Sequence, residues 1–273
     1  MLSSHALEVV WGMRSFVGVQ LLGVCMNIYN HKIGNKKLFT AVVLAVVAGM
    51  FLVRVILLKT GTLDKLYTLE PDALHDALVK YEVIIQSTQS GKTVTGGGSI
   101  LDGRKQSTKD EKYTLTIATA AHVVEDAETV TVTMPDGTVI EGTVVAAEDT
   151  SEDKAGTQAA VDVAFVQCLW EEELDGYYSR DLLERVQTGD SAYALKKDGA
   201  EGSLVSGTIT SVDCAVDGVG EDLILADIGG ENGMSGSGLY GKSGNYLGMI
   251  IQGTEAGTVA CIPADIVEAK MTN

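Results

Sequence analysis

One stretch of this chain limits its architecture more than any other. Residues 38–58, LFTAVVLAVVAGMFLVRVILL, form a run of 21 positions with a single charge, Arg54. A helix rising about 1.5 Å per residue would span about 30 Å over that length, the thickness of a bilayer's hydrocarbon core. A buried core helix rarely needs so long an apolar run, so a transmembrane helix is expected over 38–58. Arg54 lies near its end, where a long side chain reaches the headgroups. A cleaved signal peptide is the weaker alternative, because a long basic region precedes the run and no small-x-small site follows it. Lys32, Lys36 and Lys37 mark the preceding side as cytoplasmic, and Arg54 and Lys59 reduce that bias without cancelling it. Residues 1–37 are therefore expected inside and the rest of the chain outside the cytoplasm. Val9–Met26 is also apolar but is interrupted by Arg14, Ser15 and Gln20, which leaves open whether residues 9–26 span as well. The lysine-rich loop stays inside either way, so the C-terminal part still ends up outside.

Charge divides the chain at the same place. Residues 1–59 carry six basic side chains against the single acid Glu8, a balance of +5, whereas residues 60–273 carry 14 basic against 36 acidic, a balance of −22. A surface that acidic repels phosphate backbones and excludes nucleic acid as a partner of the larger part. Residues 59–80 read as a linker with a short helix beginning near Pro71, supported by Leu74 and Leu78 at helical spacing. From Tyr81 onward the pattern turns to period two and to short β-branched runs. Eleven short strands are expected between Tyr81 and Ile262, among them Tyr113–Thr119, Val161–Cys168, Ser237–Tyr240 and Tyr246–Gln252. Turns are marked by Pro135-Asp136-Gly137, Lys197-Asp198-Gly199 and Lys242-Ser243-Gly244-Asn245. Helices are expected near Ser179–Val186 and at the C-terminus. No strand–helix alternation suggests a parallel sheet, so residues 81–273 read as an all-β sandwich or a pair of barrels.

Cys25, Cys168, Cys214 and Cys261 lie far apart, and only His75 and His122 fall in the acidic part, so no metal site is expected. Cys168 and Cys261 sit in apolar runs and read as small buried hydrophobes; a Cys214–Cys261 disulfide is left open.

Three segments carry residues that acyl transfer requires. Ile117-Ala118-Thr119-Ala120-Ala121-His122-Val123-Val124 puts an imidazole at the end of a strand. Val161-Asp162-Val163-Ala164-Phe165-Val166 puts a carboxylate at the mouth of another. Asp227-Ile228-Gly229-Gly230-Glu231-Asn232-Gly233-Met234-Ser235-Gly236-Ser237-Gly238 sets serines in a glycine-rich loop. Each alone has an ordinary structural reading as a core histidine, a cap or a turn. Together they meet three needs: a hydroxyl nucleophile, a base to accept its proton, and an acid to hold that base's tautomer. Glycines beside the serine also permit backbone N–H groups to face a developing oxyanion.

These three segments resemble the catalytic motifs of trypsin-like serine peptidases, with the nearest likeness in the bacterial HtrA/Deg-type branch. Thr95–Ile100 resembles the family's glycine-rich first hairpin, Thr188–Leu195 its G-D-x-V-x-A strand, Ser206–Ser211 its S-G-I-V-S strand, and Ala260–Val267 its A-I-P segment before a C-terminal helix. The likeness covers roughly residues 83–268, and no PDZ-like segment is expected in the few residues that remain. It implies two six-stranded antiparallel barrels with a cleft between them, no cofactor, and protein or peptide substrates. Carried over by motif, His122 is the general base, Asp162 its orienting acid and Ser235 the nucleophile, with Ser237 as competitor. The N–H groups of Gly233 and Ser235 would form the oxyanion hole. Gly229, Ile250 and Ile251 would line a substrate pocket for small or medium apolar side chains, with Glu231 as a discordant charge.

Two departures stand out: Met234 where the family usually has Asn or Asp, and Gly238 where a proline is common. Residues 148–160 also make a longer acidic loop than the family implies. The expected function is a membrane-anchored extracytoplasmic serine endopeptidase; the alternative is a peptidase-like module that binds peptides without cutting them.

Overall fold

A computed structural model describes residues 68–106, 111–147, 162–174, 186–197, 201–216, 219–254 and 257–271, together with Gly49, which is helical and exposed. The chain divides into residues 1–66 and 67–273, and nearly all described residues belong to the second unit. The expected membrane segments over 9–26 and 38–58, the acidic loop 148–160 and most of the helix expected near Ser179–Val186 lie outside the described residues. Among the described residues, no helix is long and apolar enough to cross a membrane.

The second unit opens with α1 (Pro71–Leu78), where Pro71 starts a helix that buries Leu74 and Leu78 completely. Twelve strands follow. The first six are β1 (Glu82–Gln89), β2 (Lys92–Gln106), β3 (Tyr113–Thr119), β4 (Thr129–Thr133), β5 (Val139–Ala147) and β6 (Ala164–Trp170). They close into a barrel in the order β1-β2-β3-β6-β5-β4, every neighbouring pair antiparallel. The period-two pattern gives this barrel its inside: Val83 and Ile85 of β1 and Val130 and Val132 of β4 are buried, whereas Gln86 and Thr129 face solvent.

The second six are β7 (Ser191–Lys196), β8 (Ser203–Val216), β9 (Gly220–Asp227), β10 (Gly238–Tyr240), β11 (Tyr246–Gly253) and β12 (Val259–Pro263), closed in the order β10-β11-β12-β9-β8-β7. The short helix α2 (Ala121–Val124) follows β3, and α3 (Ala264–Met271) follows β12. The expected pair of six-stranded antiparallel barrels is thus the fold observed.

The second barrel has its own core around Ile209, Ile224, Met234, Leu239 and Ile250. The first barrel's core continues without a break through Tyr240, Tyr246, Met249 and Ile251 of the second. The two barrels therefore share a buried seam, and β10 and β11 contribute side chains to both of its sides.

One strand was not expected from the pattern. β2 runs for 15 residues through Gly96-Gly97-Gly98, within the segment likened to a glycine-rich first hairpin. A Cβ at Gly98 would stand 2.8 Å from the Ile117 side chain and 3.0 Å from that of Ile85, so this glycine lets the barrel wall pack tightly across its interior. Cys168, Cys214 and Cys261 are all free thiols, which corrects the open Cys214–Cys261 pairing. Cys261 is fully buried, and the partly buried Cys214 thiol donates to the Leu223 carbonyl instead.

Candidate active site

The pairing of β3 with β6 brings the first two site residues together. Thr119 pairs with Ala164, so the chain leaving β3 and the chain entering β6 emerge side by side. His122 lies three residues beyond the one end and Asp162 two residues before the other. On α2, Ala121, Val123 and Val124 are buried and leave the intervening His122 to face outward. Its Nδ1 lies 2.6 Å from Asp162 Oδ2, and its backbone N–H donates to Asp162 Oδ1 at 2.9 Å. One carboxylate thus grips both the ring and the main chain of the histidine. With the imidazole side chain 41% exposed and the carboxylate 15% exposed, Nε2 is left for a proton exchange partner while the acid is largely shielded. The hydrogen bond to Asp162 raises the His122 pKa above its ordinary value; burial opposes the rise, and the charges of Asp162 and Glu125 reinforce it.

Two residues that sequence reasoning passed over hold α2 in place. The Ser87 hydroxyl donates to the Val123 carbonyl at 2.5 Å, and the Gln89 amide donates to the carbonyls of Val123 and His122 at 2.9 and 3.2 Å. Nothing in the β1 pattern distinguishes these polar side chains from solvent-facing ones.

Ser235 arrives from the second barrel. The segment before β10 is fixed by Gly236 N–H donating to Ile250 O, by Ile250 N–H donating to Ser237 O, and across the seam by Gly97 N–H donating to Ser235 O at 2.8 Å. A Cβ at Gly96 would touch both Ser235 O (2.6 Å) and the Val123 side chain (2.7 Å). A Cβ at Gly236 would touch Thr119 Oγ1 (2.5 Å) and Ala120 N (3.1 Å). The serine loop and the segment carrying His122 therefore flank the same glycine strand, and the glycines permit that approach. The Ser235 hydroxyl donates to the Ile251 carbonyl at 3.1 Å, and no hydrogen bond joins it to His122.

The structure separates the two competing serines. Ser235 is partly exposed, whereas Ser237 is 1% exposed and its hydroxyl has no hydrogen-bond partner. The Ser237 side chain points at Gly97, in the seam between the barrels. Residues 231–234 form a turn closed by Met234 N–H donating to Glu231 O, with φ of 91° at Gly233. Positive φ at the third position defines a type II turn, which glycine adopts without strain. Neither the Gly233 nor the Ser235 N–H donates to a protein acceptor among the described residues. Met234 is 2% exposed and packs into the core of the second barrel, so it serves as an apolar anchor where the family usually has a polar residue.

The residues expected to line a substrate pocket are placed differently from one another. Gly229 is exposed with φ of 72°. Ile250 and Ile251 are both buried, Ile250 in the second core and Ile251 in the first, so they meet the site through their backbone atoms. Glu231 is paired with Lys196 at 2.5 Å, which offsets the charge that seemed discordant in the loop. Among the described residues, no group of three His, Cys, Asp or Glu side chains is placed to hold a metal ion.

The sequence model of the trypsin-like peptidase domain matches residues 96–249, a stretch that includes all three motif segments. This chain is a member of the trypsin-like peptidase domain family. Solved structures of the HtrA-type protease AlgW with tripeptide, and of a variant of it with tripeptide, share the fold. They superpose with TM-scores of 0.60 and 0.61, at 17% and 18% sequence identity. In each case the likeness covers 75% of this chain and 63% of the other, so the chain spans somewhat less than two thirds of those neighbours. No curated protein matches the sequence.

Proposed function

We propose that this trypsin-like peptidase domain is a serine endopeptidase, anchored in the membrane through residues 38–58, with its catalytic unit outside the cytoplasm. The observation that carries the reading is the two-point grip of Asp162 on His122, because a base held by ring and main chain is oriented toward the cleft. In this reading Ser235 attacks the scissile carbonyl while His122 Nε2 takes its proton and Asp162 stabilises the imidazolium. The N–H groups of Gly233 and Ser235 receive the oxyanion, which fits their lack of a protein acceptor among the described residues. The leaving amine takes the proton from His122, and water activated by the same imidazole then releases the acyl group from Ser235. The AlgW structures contain a tripeptide, which supports peptides as the substrate class here. The lysine bias ahead of residue 38 supports a cytoplasmic position for the loop before the anchor, and a cytoplasmic N-terminus if the chain is single-pass.

One feature favours the second reading, a module that binds peptides without cutting them: the Ser235 hydroxyl is spent on the Ile251 carbonyl, not on the imidazole. Rotation about a single Cα–Cβ bond redirects that hydroxyl, which keeps the peptidase reading ahead. The test is cleavage of a peptide library by the full-length chain in detergent. The peptidase reading expects defined cleavage products that vanish in Ser235→Ala. Equal peptide capture by wild type and Ser235→Ala, with no cleavage by either, would establish the binding module.

A further inference from the structure

A buried carboxylate sits in the seam and meets the chain at Gly238, three residues beyond the nucleophile. Glu82, the first residue of β1, is completely buried. It stands opposite Ser99 in the β1–β2 register, and the Ser99 hydroxyl donates to Glu82 Oε1 at 2.6 Å. Its other partners come from the second barrel. The Gly238 N–H donates to Oε1 and Oε2 at 3.2 and 3.4 Å, and the Tyr240 hydroxyl donates to Oε1. Gly238 and Tyr240 are the two ends of β10, the strand into which the Ser235 loop runs. A carboxylate of one barrel thus grips both ends of a three-residue strand of the other.

Such a group is a poor choice for stability alone, since an apolar side chain of similar volume fills a seam at lower desolvation cost. It is a good choice for fixing a strand, because three donors converge on one acceptor group and charge-assisted hydrogen bonds are short and directional. We propose that Glu82, in its ionised form, is a positioning residue for catalysis: it seats β10 and thereby the backbone of Ser235. This inference rests on the serine-peptidase reading above.

The charged and titratable groups around it are few. Lys197, just after β7, acts on Glu82 through its charge, and Tyr240 and Tyr246 face it from β10 and β11, with Cys261 behind Tyr246. Burial pushes the Glu82 carboxyl up to about 7, against the pull of Ser99, Tyr240, Gly238 and Lys197. Burial also lowers the Lys197 pKa, and burial with the Glu82 charge raises both tyrosines. The carboxyl group of Glu82, at about 7, therefore changes its charge within the ordinary pH range. Glu82→Gln keeps the shape and one acceptor oxygen but fixes the neutral state.

The experiment measures the rate of covalent labelling by a fluorophosphonate for the full-length chain and for Glu82→Gln, from pH 5.5 to pH 8.5. Taking the ratio of the two rates cancels the titration of His122, which both proteins share. The ratio is expected to be about tenfold at pH 8.5, the worth of one charge-assisted hydrogen bond, and to fall to near one at pH 5.5. Tyr240→Phe, which removes one donor to the carboxylate, is expected to lose rate in the same direction and to need a higher pH for half its maximal labelling. A ratio that stays constant across the range, as a purely structural role would give, overturns the proposal, and so does a ratio near one throughout. Wild type that never labels overturns the peptidase reading itself, a result distinct from both.

Discussion

Replacing Gly97 by alanine tests whether the seam positions the nucleophile. A Cβ at Gly97 would strike the Ser237 hydroxyl and stand 2.9 Å from Ser237 N and 3.0 Å from Ser237 Cα. Ordinary packing keeps such atoms at 3.4 Å or more. The unpartnered hydroxyl can swing away, but the backbone atoms cannot, so the segment 235–237 must retreat by roughly 0.5 Å. Overpacking of this kind costs about 2 kcal/mol, and a displacement of that size at a reacting group costs about tenfold in rate. It also strains the Gly97 N–H bond to Ser235 O, which ties the two barrels at the nucleophile. Gly98→Ala is the matched control. Its new methyl would press first on Ile117, Ile85 and Val83, all inside the first barrel. Thermal unfolding and steady-state hydrolysis of a library-selected peptide separate the two. Both variants are expected to unfold several degrees lower, but only Gly97→Ala is expected to lose kcat, with KM little changed. A Gly97→Ala protein with full kcat, or a Gly98→Ala protein with the same loss, would refute the reasoning.

Asp162→Asn is expected to reduce kcat about 10⁴-fold, because the amide favours the wrong tautomer of His122, and to lower the His122 pKa; an NMR titration of the ring reads the second effect. Ser237→Ala removes a buried hydroxyl that has no partner and is expected to leave turnover within a factor of about three and the melting temperature unchanged or higher, whereas a loss comparable to that of Ser235→Ala would reassign the nucleophile. Stability should fall as pH rises from about 4.5 to 7, since the unfolded chain ionises Glu82 in that window while the native state retains its proton. The decrease is on the order of 3 kcal/mol. His122, raised by Asp162, adds a further decrease as pH rises above its ordinary value of 6.5. Urea titrations at pH 4.5, 7 and 9 check both: Glu82→Gln should abolish the first decrease and retain the second, and an unchanged profile would contradict the burial argument.

The barrels and the site differ in how far they can be read from the chain. Strands with clean alternation, such as β1 and β4, announce themselves because one face is buried and the other wet. β2 does not, because its glycines serve an approach between barrels that has no local signature. His122 and Asp162 stand out as polar residues at the ends of apolar strands, and β-ladder register then makes their meeting a local consequence. Ser235 and Ser237 could not be ranked by burial before the fold was known, since both sit among glycines. Ile250 and Ile251, adjacent and apolar, read alike in the sequence, yet a strand between two cores sends their side chains one into each. Glu82 is the furthest from legible. A glutamate at a strand start reads as solvent-facing, and only the closure of the second barrel against the first encloses it.

Peptidase activity here requires one hydroxyl to become nucleophilic beside one imidazole. Peptide mapping by mass spectrometry of the full-length chain after fluorophosphonate treatment addresses this directly. The prediction is a single adduct on Ser235 that is absent in His122→Ala; an adduct on Ser237, or Ser235 left unmodified at every pH in the native protein, would contradict it.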